Sequence, residues 1–227
     1  MSELYIVFGS ETELLKDLFT KDNANFIRIY NKRVPEPLPN STDVNTLEDF
    51  KKCFLEKFNS DKPSKIIFIG AAFLTQTKLL MQEKIEDLET MLDVNIMSYV
   101  KYCHFILPYM IKIKSGQFVY LSSFRSQTSS RGISIYSASK AFGEKFFEVL
   151  GKENAIFGIY SASIRMGYFD GRMTNLMDEQ KIRSFKASIG NRKLGSKDDL
   201  VNCINYIIEN KYTNGGVIDL TGGINFA

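Results

Sequence analysis

A single histidine, His104, in 227 residues excludes a His-rich metal centre and leaves a Ser-His-Asp triad only if His104 itself serves. It lies within an apolar helical run, where a structural histidine is the plainer reading. Three cysteines, Cys53, Cys103 and Cys203, form an odd, scattered set without metal-ligand spacing. Reduced, mostly buried thiols of a cytoplasmic protein are therefore expected. Neither charge dominates: the net charge of +3 is too small to argue for nucleic acid or an anionic membrane. No run approaches the roughly 18 apolar residues of a membrane span. No basic segment with an apolar core precedes the first strand-like stretch, so no secretory signal is expected.

What is present is ordinary for a globular protein: 44% hydrophobic and 24% charged residues. The length suffices for one large, well-buried domain. No repeat, low-complexity tract or linker interrupts it, and one domain over residues 1–227 is expected.

Apolar runs that suit strands buried on both faces occur at Leu4–Phe8, Asn25–Tyr30, Lys65–Gly70, Gln117–Leu121, Ala155–Ile164 and Val217–Leu220. Helical periodicity falls between them: around Leu14–Phe19, over Asp43–Phe58, over Leu88–Ile113, from Tyr136 to about Leu150, and over Asp198–Asn210. The Leu88–Ile113 pattern puts Leu92, Ile96, Val100, Cys103, Leu107 and Met110 on one stripe. Three prolines between Asn31 and Ser41 exclude a helix interior there. Met166–Gly190 lacks a strong period. Strands alternating with helices predict an α/β fold with a parallel sheet covered on both faces. Ligands bind such sheets beyond the carboxyl ends of the strands. Those ends here carry small or hydroxyl residues: Gly9, Gly70-Ala71-Ala72, Ser122-Ser123 and Met166-Gly167.

Tyr136 and Lys140 stand four apart on a helical pattern, so they share one face. An ammonium beside a phenol favours the phenolate and lowers its pKa from about 10, towards the range where acid–base catalysis works at neutral pH. Alone, the spacing is also what chance produces. Ser123 lies thirteen residues earlier at a strand end, and Asn95 lies in the preceding long helix.

The order Asn95, then Leu121-Ser122-Ser123, then Tyr136-x-x-x-Lys140 resembles the short-chain dehydrogenase/reductase family, as do the strand–helix order and the C-terminal Leu220-Thr221-Gly222-Gly223. The resemblance implies a Rossmann-like, doubly wound sheet of about seven strands. It implies an NAD(P)-dependent oxidoreductase interconverting a carbonyl and an alcohol. In that scheme Tyr136 is the acid or base, and Lys140 tunes it and holds the nicotinamide ribose. Ser123 stabilises the substrate oxygen, and Asn95 holds a water in a relay to Lys140. The cofactor would lie along Gly9, Ser10, Asp43, Val44, Gly70, Ala71, Gly167 and Phe169. Homodimers or homotetramers through the helices bearing Asn95 and Tyr136 would follow.

The chain also departs from the family pattern. The first turn, Thr-Gly-x-x-x-Gly-x-Gly in the family, reads Phe8-Gly9-Ser10-Glu11-Thr12-Glu13-Leu14-Leu15. Glu13 and Leu15 replace two glycines, and a carboxylate there repels a pyrophosphate. Ser10-x-x-Glu13 is also a capping-box pattern that would satisfy the helix's own amides. After the second strand no acid awaits a ribose hydroxyl. Asn31-Lys32-Arg33 instead offers two cations, suited to the 2′-phosphate of NADP or to a solvated turn. The family's Pro-Gly is Met166-Gly167, and its following threonine position holds Gly171. Between Gly167 and Lys193, Arg172, Lys181, Arg183, Lys186, Arg192 and Lys193 read either as a solvated face or as attraction for an anionic substrate. The competing reading is a protein of this fold with weakened or lost dinucleotide binding, acting as a binding or scaffold subunit. A third keeps the dinucleotide bound and uses the site for isomerisation or elimination.

Overall fold

The computed structural model describes residues 2–9, 14, 15, 18, 24–30, 40–71, 78–128, 130–171, 174 and 177–224. Seven strands form one sheet: β1 (Glu3–Phe8), β2 (Ala24–Ile29), β3 (Ser41–Val44), β4 (Lys65–Ala71), β5 (Gly116–Ser123), β6 (Ile159–Met166) and β7 (Val217–Leu220). Their order is β3-β2-β1-β4-β5-β6-β7, and every pairing is parallel. The strand order reverses between β1 and β4, which opens a crevice at their carboxyl ends.

Parallel pairing needs crossovers, and the helices that make them bury both faces of the sheet. Helices α1 (Leu47–Asp61), α3 (Ser98–Ile113) and α4 (Ser134–Asn154) cover one face. There Leu4, Ile6 and Phe8 meet Phe50, Phe54, Tyr99, Ile106 and Phe147. On the other face Tyr5, Val7, Ile67 and Ile69 meet Leu15, Leu18 and helix α6 (Lys197–Glu209), after α5 (Glu179–Ser188). The alternation along β1 thus assigns each side chain to one of two cores. Leu200, Ile204 and Ile207 of α6 are fully buried, each worth about 1.5–3 kcal/mol by burial.

Three expectations change. Asp43 and Val44 do not begin a helix. They lie in β3, a short polar edge strand whose Asp43 faces Arg28 in register, and the helix starts after Thr46, whose hydroxyl accepts from the Asp49 N–H. The long helical run begins earlier, as α2 (Ile85–Leu92), and a π-helical turn over Asp93–Met97 joins it to α3. The buried stripe of α3 holds Tyr99, Tyr102, Cys103, Ile106 and Met110, and Leu92 stays exposed. Aromatic packing decides this: Tyr99 and Tyr102 sit 5.1 and 5.6 Å from the ring of Phe8, with favourable tilted geometry. Finally, Ala155–Phe157 is a 3₁₀ turn, and β6 starts at Ile159.

The three cysteines are free, with Cys53 and Cys103 buried. His104 is exposed on α3, so it is neither a core residue nor part of the site. No helix among the described residues is long and apolar enough to cross a membrane, and they hold no cluster of His, Cys, Asp or Glu able to bind a metal.

Candidate active site

The last residues of β5, the start of α4 and the π-helical turn converge beyond the carboxyl edge of the sheet. Ser123 ends β5 and caps the following 3₁₀ turn, its Oγ accepting from the Arg125 N–H at 3.2 Å. Its hydroxyl also lies beside the phenol of Tyr136, in the first turn of α4, near enough to favour the phenolate. Ser123, Tyr136 and Lys140 are therefore brought together as the spacing predicts.

Asn95 is fully buried in the π-helical turn, an element that recurs at functional sites. Its Nδ2 donates to Ser139 Oγ at 3.1 Å, and Ser139 Oγ donates to the Tyr136 carbonyl at 2.8 Å. Asn95 thus fastens the turn of α4 that carries the tyrosine. Ser139 escaped the sequence reading; its position between Tyr136 and Lys140, three residues beyond the tyrosine, was the available signal.

Lys140 lies beside Tyr136 and bonds the backbone. Its Nζ donates to the Leu121 carbonyl at 2.5 Å and lies 5.7 Å from the centroid of the Tyr136 ring. Burial lowers its own pKa to about 7, against an opposing pull from Glu144. The Tyr136 pKa is raised, because burial outweighs the opposing pull of the nearby Ser123 hydroxyl and Arg125 cation. The phenol is therefore kept protonated, ready to donate rather than to accept.

One turn beyond Lys140, Glu144 is buried and accepts from Ser122 Oγ and Ser126 Oγ, both at 2.6 Å, and from Arg165 Nη2 at 2.9 Å. Arg165 Nη1 reaches Asp219 at 2.8 Å. Burial opposes ionisation of Glu144, yet the bonds from Arg165, Ser122 and Ser126 hold its pKa below the usual range. This network ties α4 to the ends of β5, β6 and β7 directly behind the Ser123–Tyr136 pair. The buried polar spacing of Lys140 and Glu144 was its only sequence signal.

The residues expected to line a cofactor are mixed. Gly9 has φ +74°, and a Cβ there would meet Ala71 Cβ at 3.1 Å, so both positions keep the crevice between β1 and β4 narrow-walled. A side chain at Gly70 would collide with the Tyr99 ring, whose hydroxyl donates to the Ala71 carbonyl. The gap left by that glycine is thus filled by the protein on the α3 face. Asp43 is held by Arg28, Nε to Oδ1 at 2.6 Å and Nη2 to Oδ2 at 2.7 Å. Each carboxylate oxygen keeps only a second lone pair for a ligand. Val44 is buried in the core, and its carbonyl accepts from Tyr30.

Gly167 abuts Thr221 and donates to the Leu220 carbonyl at 2.9 Å. Phe169 is a core residue bridged to Gly195. Past it, Thr174 is buried and bonds both backbone groups of Gly171. Ser10, Lys32, Arg33 and Arg172 lie outside the described residues. Lys181, Arg183, Lys186, Arg192 and Lys193 are exposed, and Arg183 pairs with Glu179; they form the solvated face.

Lys140 is the clearest fit to a nicotinamide ribose. An ammonium has three N–H donors, and among the described residues one acceptor, Leu121 O, engages this one. The remaining donors are buried beside Tyr136, where a vicinal diol would find them.

A parallel sheet in this order, with Asn95, Ser123, Tyr136 and Lys140 gathered at one strand edge, defines an oxidoreductase of the Rossmann-like class. The chain belongs to the short chain dehydrogenase family, whose model matches residues 35–182. That match begins after β2, so the divergent first turn lies outside it. The chain is 26% identical over 187 residues to the 3-oxoacyl-(acyl-carrier-protein) reductase FabG of Chlamydia pneumoniae, covering 81% of this chain and 75% of the relative. It is 24% identical over 184 residues to carbonyl reductase family member 4 of Xenopus laevis, covering 81% and 76%. Among solved structures, it resembles ElxO with NADP bound (TM-score 0.84, 17% identity, 98% of both chains). It also resembles the ligand-free aldohexose dehydrogenase of Thermoplasma acidophilum (TM-score 0.85, 15% identity, 98% and 93%).

Proposed function

We propose that the chain is an NADP-preferring oxidoreductase that interconverts a carbonyl and an alcohol, with Tyr136 as the acid or base. The observation that carries this reading is the meeting of Ser123, Tyr136 and the buried Lys140 amine at one strand edge. The nicotinamide, when bound, supplies or takes the hydride. In reduction, Ser123 Oγ and Tyr136 Oη both donate to the substrate oxygen, and Tyr136 passes it a proton as negative charge develops there. Asn95, through Ser139, holds the tyrosine in line. Lys140 holds the ribose.

Gly9, Ser10, Ala71, Gly167 and backbone groups near Phe169 would cradle the rest of the cofactor. Gly70, Val44 and Asp43 would contribute through backbone or a remaining lone pair. Lys32 and Arg33 would favour the 2′-phosphate, in keeping with the NADP bound by the similarly folded ElxO. A cytoplasmic location and one catalytic domain over residues 1–227 belong to the same proposal.

Calorimetric titration with NADPH and NADH tests it. Stoichiometric binding, tighter for NADPH, is the expected result; no heat from either would favour the scaffold reading. That alternative draws on Glu13 and Leu15 in the first turn and on the pairing of Asp43 with Arg28. Isomerisation or elimination on a bound dinucleotide would show as product without net cofactor oxidation.

Self-association is part of the proposal. Leu92, Met97, Phe142 and Val149 are 37–45% exposed on the segment from α2 to α3 and on α4, an apolar cost in a monomer. Light scattering is expected to give a dimer or tetramer, and Phe142→Asp to shift it towards monomer. A monomeric wild type would refute this part.

A further inference from the structure

Arg125, two residues after Ser123, is a half-buried cation whose partners among the described residues are neutral. Its Nη1 donates to Ser130 Oγ, and its Nη2 to Tyr168 Oη at 2.8 Å. Its guanidinium stands 4.5 Å from the centroid of the Phe124 ring and 5.9 Å from that of Tyr168. Among the described residues no carboxylate pairs with it, whereas Arg28 has one and Arg165 two. A guanidinium carries five N–H donors in a planar fork. Among the described residues two are engaged, which leaves the others for a ligand.

The clamp that holds Arg125 is built from both walls of the substrate side. Phe124 belongs to the turn after β5, and Tyr168 to the loop after β6. Tyr168 in turn stacks on Phe185 of α5 at 4.1 Å and 7°. Phe124 packs with Ile189 and Ile224, with Tyr168 and Leu194 against them. Ring faces attract a cation without neutralising it, so the positive charge remains for whatever enters. Arg125 is close enough to the chemistry to pull on the Tyr136 phenol, and its own N–H bonds Ser123 Oγ.

We infer that Arg125 is a specificity residue that reads an oxyanion, carboxylate or phosphate, on the substrate, beside the carbonyl held by Ser123 and Tyr136. This rests on the proposed carbonyl site only for what the bound molecule's other end does. Bidentate pairing of a fork with an oxyanion is among the strongest polar contacts available. It moves the anion-reading role from the exposed lid cations to one fixed side chain.

The test uses two matched pairs of probes: acetoacetate against its methyl ester, and dihydroxyacetone phosphate against dihydroxyacetone. Dissociation constants are measured by ligand-observed NMR on the full chain, with and without NADP, for wild type, Arg125→Gln, Arg125→Lys and Arg183→Gln. The charged member of at least one pair is expected to bind about tenfold tighter than the neutral one, in line with a charge-assisted pair. Whichever pair shows the preference identifies carboxylate or phosphate. Arg125→Gln should erase it, Arg125→Lys should keep part of it, and Arg183→Gln should keep all of it.

Equal binding within both pairs by wild type would overturn the inference without any variant having to fold. Survival of the preference in a folded Arg125→Gln, or its equal loss in Arg183→Gln, would overturn it too. Failure of the reductase reading would appear separately, as no NADPH binding, with the anion preference still readable in the nucleotide-free samples.

Discussion

Replacing Tyr136 by Phe should cut turnover of a proven carbonyl substrate by about 10²–10⁴-fold, the usual worth of a positioned general acid. The melting temperature should hold, because the ring keeps its packing and only the hydroxyl beside Ser123 is lost. Its pH dependence follows from burial, which raises the Tyr136 pKa above 10. At neutral pH the residue is the phenol, the form that reduction needs. Reduction at saturating cofactor should therefore show no loss from Tyr136 through neutrality and fall in alkali, while titration of Lys140 near 7 would act on cofactor binding. Oxidation needs the phenolate and should climb with pH across the whole accessible range. Rate profiles in both directions check this. An oxidation rate already level near neutrality would mean that the phenolate is populated there, against the burial argument.

The second large effect is on stability. Glu144→Ala removes the carboxylate that accepts from Ser122, Ser126 and Arg165 and leaves Arg165 with Asp219 as its remaining acid. Breaking a buried pair by deleting one partner costs roughly 3–5 kcal/mol. For a chain of this size that corresponds to a fall in Tm of roughly 6–20 °C. Urea unfolding measures it, and a change under about 1 kcal/mol would show the pair to behave as a surface one.

Glu144 and Lys140 also shape stability against pH, with opposite signs. The Glu144 pKa is depressed from 4.5, so its contribution is present above that value and lost as pH falls through the folded one. The Lys140 pKa is about 7 when folded, against 10.5 for the free group. Between these values the unfolded chain binds more protons, so this group makes stability rise with pH. Glu144 opposes the drop in Lys140; Glu144→Ala should lower the Lys140 pKa further and deepen that rise.

Much of the architecture was legible in one dimension. Buried parallel strands are continuous apolar runs, so six of the seven strands, β3 excepted, stood out by hydrophobicity alone. β3 was hidden because Ser41-Thr42-Asp43-Val44 is polar, and its identity comes from pairing with β2. Asn95, Ser123, Tyr136 and Lys140 were legible because their spacing is a property of the chain. Glu144 and Arg165 were not, since they are 21 residues apart and meet only where α4 packs on β6.

The sequence by itself determined the alternating α/β order, the strand ends that carry the site and the four polar residues gathered there. Only the tertiary structure decided how those residues are charged. Helical spacing puts Lys140 beside Tyr136, but the enclosing protein turns its amine to the Leu121 carbonyl, buries it, and leaves Tyr136 only partly exposed. The ammonium is weakened and the phenol kept protonated, because desolvation outweighs a neighbouring charge that is not aimed at it. The cation near the tyrosine, Arg125, is likewise a product of packing: aromatic rings and hydroxyls from separate segments hold it, and among the described residues no acid pairs with it.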